Sequence, residues 1–269
     1  MTSVLYGISD FLGGEGAKRA PAAAVVLWAG VVSFPLVTVL ALVNGGSASI
    51  ADYGFGALAG ISGAIGLVIL FAGLGKGHAA AVAPAAGAVA GAFPVMVAVL
   101  AGERPSVLAW VGVAIAVPAI VLSSWVAEPG DVPYGGVWYG VVSGLGFGGW
   151  TVIINQASDS AGLLPLITSR AATMAVVLMI AAFGVWKVTG FGAVPKAIVV
   201  GNGVLDVMAN VTLLLALHRG SLALVAVSSS FYPVVTVVLA RVVNHEHLRH
   251  RQVAGIILTV VAVGAIALG

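Results

Sequence analysis

Ten apolar stretches follow one another along this chain, separated by short breaks at charged residues, Gly or Pro. An α-helix needs about 20 apolar residues to cross the hydrocarbon core of a membrane. We therefore predict an all-α integral membrane fold with ten transmembrane helices, of which the first is short. The predicted spans are residues 2–17, 21–43, 54–75, 79–101, 106–125, 134–157, 162–186, 196–217, 221–243 and 250–268.

The composition supports lipid as the solvent and excludes several classes of function. Hydrophobic residues make up 61% of the 269 residues and charged residues only 7%, whereas a soluble domain carries about 25% charged residues. Cysteine is absent, which excludes disulfides, thiolate nucleophiles and thiolate metal sites. The sequence contains no basic tract or aromatic platform of the kind that binds nucleic acid.

A spaced pattern of identical residues occurs twice. The copies stand 143 positions apart, and they are Gly77, Val82, Glu103 and Gly112, then Gly220, Val225, Glu246 and Gly255. Duplicated bundles are typical of secondary transporters. Because each half holds five spans, an odd number, the second half must enter the membrane inverted. We predict a first five-helix repeat at residues 1–130 and a second, inverted repeat at residues 131–269, joined near the polar break at residues 127–133.

Several short motifs carry a resemblance over the whole chain. They are Leu5-Tyr6-Gly7-Ile8-Ser9-Asp10-Phe11 with Lys18-Arg19, Gly102-Glu103-Arg104-Pro105, Gly112, Tyr232-Pro233, Glu246 and Gly255. In this combination the chain resembles the drug/metabolite transporter superfamily, in its ten-helix form with two EamA-type repeats. The second copy departs from the pattern, because His247-Leu248 follows Glu246. The resemblance implies inverted five-helix halves and a central cavity lined mainly by helices 1, 3, 4, 6, 8 and 9.

Two arguments about membrane orientation oppose each other. The resemblance implies that both termini are cytoplasmic. That topology places most Lys and Arg residues in external loops, and the positive-inside rule therefore favours both termini outside. The orientation is left open.

The resemblance and the duplication together indicate a function. We expect a secondary transporter in the bacterial cytoplasmic membrane that moves a small organic solute, a metabolite or a drug-like compound, by alternating access. The resemblance favours export, and proton coupling is left open. The alternative is a passive channel or facilitator with the same fold. We expect no enzyme activity, no cofactor, no nucleic-acid partner and a self-contained monomer.

Asp206 is the first candidate for a functional residue. It lies ten residues after Lys196 and thirteen before Arg219, near the middle of its span. A charge at that depth costs about 2.5–3.5 kcal/mol on insertion scales, so such residues usually face a cavity or a partner. Asn202 and Asn210 lie four residues to either side, on the same helical face. We predict that all three contact substrate and that Asp206 couples transport to protons; the alternative is a buried polar seam between helices.

The first span carries a second polar face. Tyr6, Asp10, Gly14 and Lys18 follow at intervals of four residues, which places them on one side of a helix. We predict that Tyr6 and Asp10 contact substrate and that Asp10 is the second candidate for proton coupling. The alternative is that Asp10 pairs with Lys18.

Further candidates lie inside the later spans. Trp150, Asn155, Ser229 and Tyr232 are predicted to line a cavity for an organic solute, although buried aromatic residues also serve packing. Arg170 either holds an anionic group of the substrate or extends to the membrane interface. Pro84, Pro94 and Pro233 are predicted to kink their helices.

Other motifs are given structural roles or set aside. Glu103 and Glu246 are expected to make helix-end contacts with Arg104 and with His247 or Arg249. The group His245, Glu246, His247 and His250 lacks metalloprotease spacing and is flanked by Arg249 and Arg251, so we expect no metal site. The G-x-G-x-x-G match at residues 144–149 has no preceding strand, so it does not indicate a dinucleotide site.

Overall fold

Eleven α-helices with short connections make up the described part of the chain. The structure, a computed structural model, describes residues 1–76, 79–100, 102, 106–123, 136–185, 187–220, 222–244 and 250–268. The helices are α1 (Thr2–Ala17), α2 (Ala22–Asn44), α3 (Ile50–Gly75), α4 (Ala79–Leu100), α5 (Val107–Ser123), α6 (Val137–Ile154), α7 (Pro165–Ala182), α8 (Lys196–Leu217), α9 (Leu222–Ser229), α10 (Tyr232–Asn244) and α11 (His250–Leu268). Those residues contain no strand, and the expectation of an all-α fold is confirmed.

The ninth predicted span is divided between two helices. α9 ends at Ser229 and α10 begins at Tyr232, so Pro233 lies in the first turn of α10. Proline has no backbone N–H and therefore cannot continue the hydrogen bonding of α9, whereas it is well accepted in a first turn. The predicted kink at Pro233 is thus replaced by a break, while Pro84 and Pro94 lie inside α4 as predicted.

The helix surfaces are suited to lipid. Within the described residues, α2, α3, α6, α7 and α8 are each long and apolar enough to cross a membrane. Large apolar side chains on their outer faces, such as Val31, Leu58 and Leu178, are more than half exposed. Because contiguous apolar surface of this kind is rare on soluble monomers, it supports a multi-pass membrane protein.

Close helix packing depends on glycine at one place on α3 and at one place on α8. α3 packs on α6 and α7, and α8 packs on α1 and α2. A Cβ atom on Gly60 of α3 would lie 2.1 Å from the carbonyl oxygen of Ser169 on α7, and one on Gly203 of α8 would lie 2.7 Å from that of Ala29 on α2. Small residues let membrane helices approach backbone to backbone in this way.

Asp52, at the start of α3, joins two loop regions. Its carboxylate accepts hydrogen bonds from the backbone N–H and hydroxyl of Ser49, both at 2.7 Å. It also accepts from the backbone N–H of Ser158 at 2.7 Å and from the Ser158 hydroxyl at 3.1 Å. The acid therefore caps α3 and fastens it to the segment that follows α6.

Several predicted features lie outside the described residues. The polar break at residues 127–133 and the boundary at residue 130 are among them, as are Glu103, Arg104, Glu246, His247 and Arg249. The division into two repeats and the helix-end contacts of the two glutamates therefore stay predictions.

Candidate substrate cavity

A cavity lies at the centre of the bundle. Its empty space, counted together with the open solvent at its mouth, is about 880 Å³. Its walls come from α1, α3, α4, α6, α8, α9 and α10, and also from α2 and α7. The resemblance implied helices 1, 3, 4, 6, 8 and 9; the large share of α7 was not expected.

Arg170 of α7 and Asp206 of α8 form an ion pair in the cavity wall. Both residues are buried, at 9% and 8% exposure. Arg170 is also the one basic residue among the described residues that line the cavity. Buried charges are tolerated when they are paired and hydrogen-bonded, so each member of this pair offsets the cost of burying the other's charge. Of the two roles predicted for Arg170, extension to the interface does not occur.

A hydrogen-bonded chain connects α1 to the backbone of α8. The Tyr6 hydroxyl donates to Oδ1 of Asn210 at 3.0 Å. Asn210 in turn donates from Nδ2 to the backbone carbonyl oxygen of Asp206 at 2.7 Å. Both Tyr6 and Asn210 border the cavity, and the chain fixes their side chains beside the ion pair.

Asp10 borders the same cavity, but its carboxyl group is not paired as that of Asp206 is. It is 4% exposed, and no described residue forms an ion pair or a hydrogen bond with its carboxyl group. The alternative of a pair with Lys18 does not occur, because Lys18 donates to Oε1 of Glu15 at 2.6 Å. Asp10 is therefore an acid that faces the cavity with its hydrogen-bonding capacity unused by the described part of the chain.

Aromatic rings form the wall next to Asp10. The rings of Tyr6 and Tyr232 meet edge to face, with centroids 6.4 Å apart. Phe147 and Tyr232 meet in the same way at 6.3 Å. The hydroxyl of Tyr232 is buried, and no described atom forms a hydrogen bond with it. Edge-to-face contacts stabilise such rings against one another, and the unused hydroxyl belongs to a residue that borders the cavity.

Trp150 and Ser229 also border the cavity, as predicted from their positions in the spans. The Trp150 indole nitrogen Nε1 donates to the hydroxyl of Ser169 at 3.0 Å, and the Ser229 hydroxyl donates to the carbonyl oxygen of Ala226 at 2.8 Å. With its polar edge satisfied, the Trp150 ring offers the cavity an apolar surface.

Two predicted substrate residues do not border this cavity. Asn202 donates from Nδ2 to the carbonyl oxygen of Ser9 at 2.7 Å and so ties α8 to α1. Four residues turn an α-helix through about 400°, so Asn202 and Asn210 point about 80° apart, and only Asn210 reaches the cavity. Asn155 follows the last turn of α6 and is partly exposed.

Residues of α7 other than Arg170 were the main omission from the predicted site. Leu166, Ser169, Arg170 and Thr173 all border the cavity. They are spaced at i, i+3, i+4 and i+7, which is the pattern of one helical face. Extending the search from Arg170 along that face would have found Ser169 and Thr173.

Comparisons with known proteins agree with this architecture. A solved structure described only as "Crystal structure of protein" superimposes with a TM-score of 0.70 at 18% sequence identity, covering 99% of this chain and 95% of the other. At that identity the likeness shows the fold alone. No curated protein sequence matches this chain.

The model of the EamA-like transporter family matches residues 134–268, half of the chain. This confirms the expected family and, since the family consists of transporters, the expectation that the chain is not an enzyme. The chain belongs to the EamA-like transporter family and is a multi-pass membrane transporter of small solutes.

Proposed function

We propose that this protein is a secondary transporter that moves a small organic solute across the bacterial cytoplasmic membrane by alternating access. The observation that carries the proposal is the central cavity, which combines an ion pair, an unpaired acid and aromatic walls inside an apolar bundle. One chain supplies all of these residues, which supports a monomer as the working unit.

The bundle is closely packed on one side of the cavity, which supports alternating access. Beyond Asp10, a Cβ atom on Gly13 of α1 would lie 2.0 Å from Cζ of Phe71 on α3. One turn further along, a Cβ atom on Gly75 would lie 2.8 Å from the Cβ atom of Ala17. α1 and α3 therefore lie in close contact beyond Asp10 in this conformation. A transporter needs tight helix contacts on one side of its cavity, whereas an open channel needs a continuous pore.

The packing also supports two inverted halves. α3 packs on α6 and α7, and α8 packs on α1 and α2. These contacts correspond if α1, α2 and α3 are matched with α6, α7 and α8. Gly60 and Gly203, which each face a backbone carbonyl of the helix that they pack on, stand 143 positions apart, the same interval as the sequence repeat. Inverted halves of this kind are the usual basis of alternating access.

If transport is coupled to protons, we propose Asp10 ahead of Asp206 as the coupling acid. Asp206 is neutralised by Arg170, so taking up a proton there requires breaking the ion pair. Asp10 carries no such partner in the described residues and borders the cavity directly. A proton and a solute that alternate at one acid shift the conformational equilibrium if they favour different states. The direction we propose is export, on the family resemblance.

The test begins with a stability screen and ends with counterflow. The purified protein is screened against a metabolite and drug library; a ligand at about 100 times its dissociation constant stabilises by about 2.7 kcal/mol. A radiolabelled stabiliser is then tested in proteoliposomes. Transient accumulation of label against excess unlabelled compound supports a transporter. Equilibration without counterflow would instead indicate the passive channel or facilitator.

A matched pair of variants on α3 connects the transport signal to the cavity. Gly63 borders the cavity, and a Cβ atom there would lie 2.8 Å from Cδ1 of Trp150. Gly63→Val should therefore obstruct the cavity and abolish counterflow. Gly54 lies on the same helix, and a Cβ atom there would meet no other atom within 4 Å, so Gly54→Val should transport as the wild type does. Equal activity of the two variants would contradict a route through this cavity.

A further inference from the structure

We infer that the transported solute is an organic monocation with an apolar or aromatic body, and that Asp10 binds its positive charge. The inference rests on the proposed transport function and names the class of solute for the same cavity.

The charge balance of the cavity leaves one negative group over. Asp10, Asp206 and Arg170 are the charged residues that border it among the described residues. Arg170 and Asp206 neutralise each other, so Asp10 remains. An ionised carboxylate away from water either has a partner of opposite charge or takes up a proton. A cationic solute supplies that partner in place of the proton. An anionic solute meets Asp10 with no free cation beside it among the described residues, and a neutral solute offers the acid no charge.

The surroundings of Asp10 suit a cation with an apolar body. Tyr6, Phe147 and Tyr232 border the cavity, and the Tyr232 ring contacts each of the other two edge to face. The face of an aromatic ring attracts a cation, and more strongly when water is excluded. The rings also offer apolar area to the rest of the solute. Acid and aromatic residues together thus match the two parts of an organic cation.

Asp10 and the aromatic residues come from helices that touch. Tyr6 and Asp10 are four residues apart on α1, and α10 packs on α1 so closely that a Cβ atom on Gly7 would lie 2.7 Å from the carbonyl oxygen of Tyr232. The buried Tyr232 hydroxyl has no described partner and is available to a polar group of the solute. The wall of α1 and α10 therefore contains two unused polar groups, one of them an acid.

Three phenylalkyl probes of similar size separate the effect of charge from that of the apolar body. Benzyltrimethylammonium is a permanent cation, neopentylbenzene is its uncharged carbon isostere, and 3-phenylpropionate carries a negative charge. Binding to the full-length protein in detergent is measured by calorimetry. We expect the cation to bind saturably and about tenfold or more tightly than the isostere, with no binding of the anion. Asp10→Asn should weaken the cation by about tenfold or more and leave the isostere unchanged.

Two further variants keep the result interpretable if Asp10→Asn folds poorly. Tyr232→Phe removes only a hydroxyl that makes no described hydrogen bond, and it should weaken the cation by a smaller factor. Asp159→Asn makes the same change of charge at an exposed residue of the short 3₁₀ helix that follows α6 and should bind the cation as the wild type does. Each variant is checked for monodispersity and cooperative unfolding.

The outcomes separate this inference from the proposed transport function. The inference is overturned if the cation does not bind, if the neutral isostere binds as tightly, or if a folded Asp10→Asn keeps full affinity. Where Asp10→Asn does not fold, full affinity of Tyr232→Phe overturns it. If an anionic or neutral hit shows counterflow while the cation does not bind, the transport function stands and the inference fails. If the cation binds through Asp10 and no compound shows counterflow, the binding site stands and the transport function fails.

Discussion

The cavity has two acidic sides that differ in how their carboxylates are satisfied. On the α7–α8 side, Asp206 is paired with Arg170. On the α1–α10 side, Asp10 is buried to a similar degree but has no described partner. The same residue type in one cavity therefore has two different relations to its surroundings. A paired acid contributes to the structure of the wall, whereas an unpaired acid remains available to a proton or a solute.

Breaking the pair should produce the largest effect on stability. Arg170→Met leaves Asp206 buried without its partner, and removing one member of a buried pair costs about 3–5 kcal/mol. Chemical unfolding in detergent measures the loss. The double variant Arg170→Met with Asp206→Leu replaces both charges by apolar groups and should recover most of that loss. Equal destabilisation of the single and double variants would show that the charges are not coupled.

Asp52 is a third acid to compare with Asp206 and Asp10, because its carboxylate accepts hydrogen bonds from uncharged donors only. Ser49 and Ser158 supply its hydrogen bonds. Asp52→Asn removes the charge that strengthens these bonds and should lower Tm by a few degrees. Transport should keep its wild-type pH profile, since Asp52 does not border the cavity. A changed pH profile would mean that acids outside the cavity take part in coupling.

The pH dependence of cation binding tests the unpaired side. A proton and a permanent cation compete for Asp10, so apparent affinity should rise with pH until the carboxyl group is fully ionised. Below that point affinity should change by about tenfold per pH unit. The other groups around Asp10 are Tyr6, Tyr232, Arg170 and Asp206. Asp10→Asn should give a flat profile, whereas Asp206→Asn should keep the slope. If Asp206→Asn gave the flat profile and Asp10→Asn kept the slope, Asp206 would be the coupling acid instead.

The helices could be predicted from sequence more fully than the site could. Apolar stretches of about 20 residues have few alternatives in lipid, and each predicted span contains described helix. The break before Pro233 could not be foreseen, because proline inside a span is compatible with either a kink or an interruption. Proline removes the hydrogen bond to the carbonyl oxygen four residues before it in either case, so the difference depends on the packing of neighbouring helices.

Within the site, the limit was the rotation of each helix. Asp206 and Asn210 were placed correctly on one face, but the shift of about 40° for every four residues takes Asn202 toward Ser9. The partner of Arg170 depends on how α7 is rotated against α8, which one sequence does not specify. Asp10 met a different limit: Lys18 lies eight residues further along, about 12 Å up the helix, and it pairs with the nearer Glu15 instead.

Two tyrosines provide the finest test of the contrast between used and unused polar groups. The Tyr6 hydroxyl donates to Asn210 at 3.0 Å, and a typical hydrogen bond contributes about 0.5–1.5 kcal/mol. Tyr6→Phe should therefore lower stability by about that amount. Tyr232→Phe removes a buried hydroxyl with no described partner, so stability should be unchanged or slightly higher. Thermal unfolding with and without benzyltrimethylammonium separates the two, because only Tyr232→Phe should lose ligand stabilisation without losing intrinsic stability. If Tyr232→Phe destabilises the free protein as much as Tyr6→Phe does, its hydroxyl already has a partner, and the α1–α10 wall has fewer groups to offer a solute.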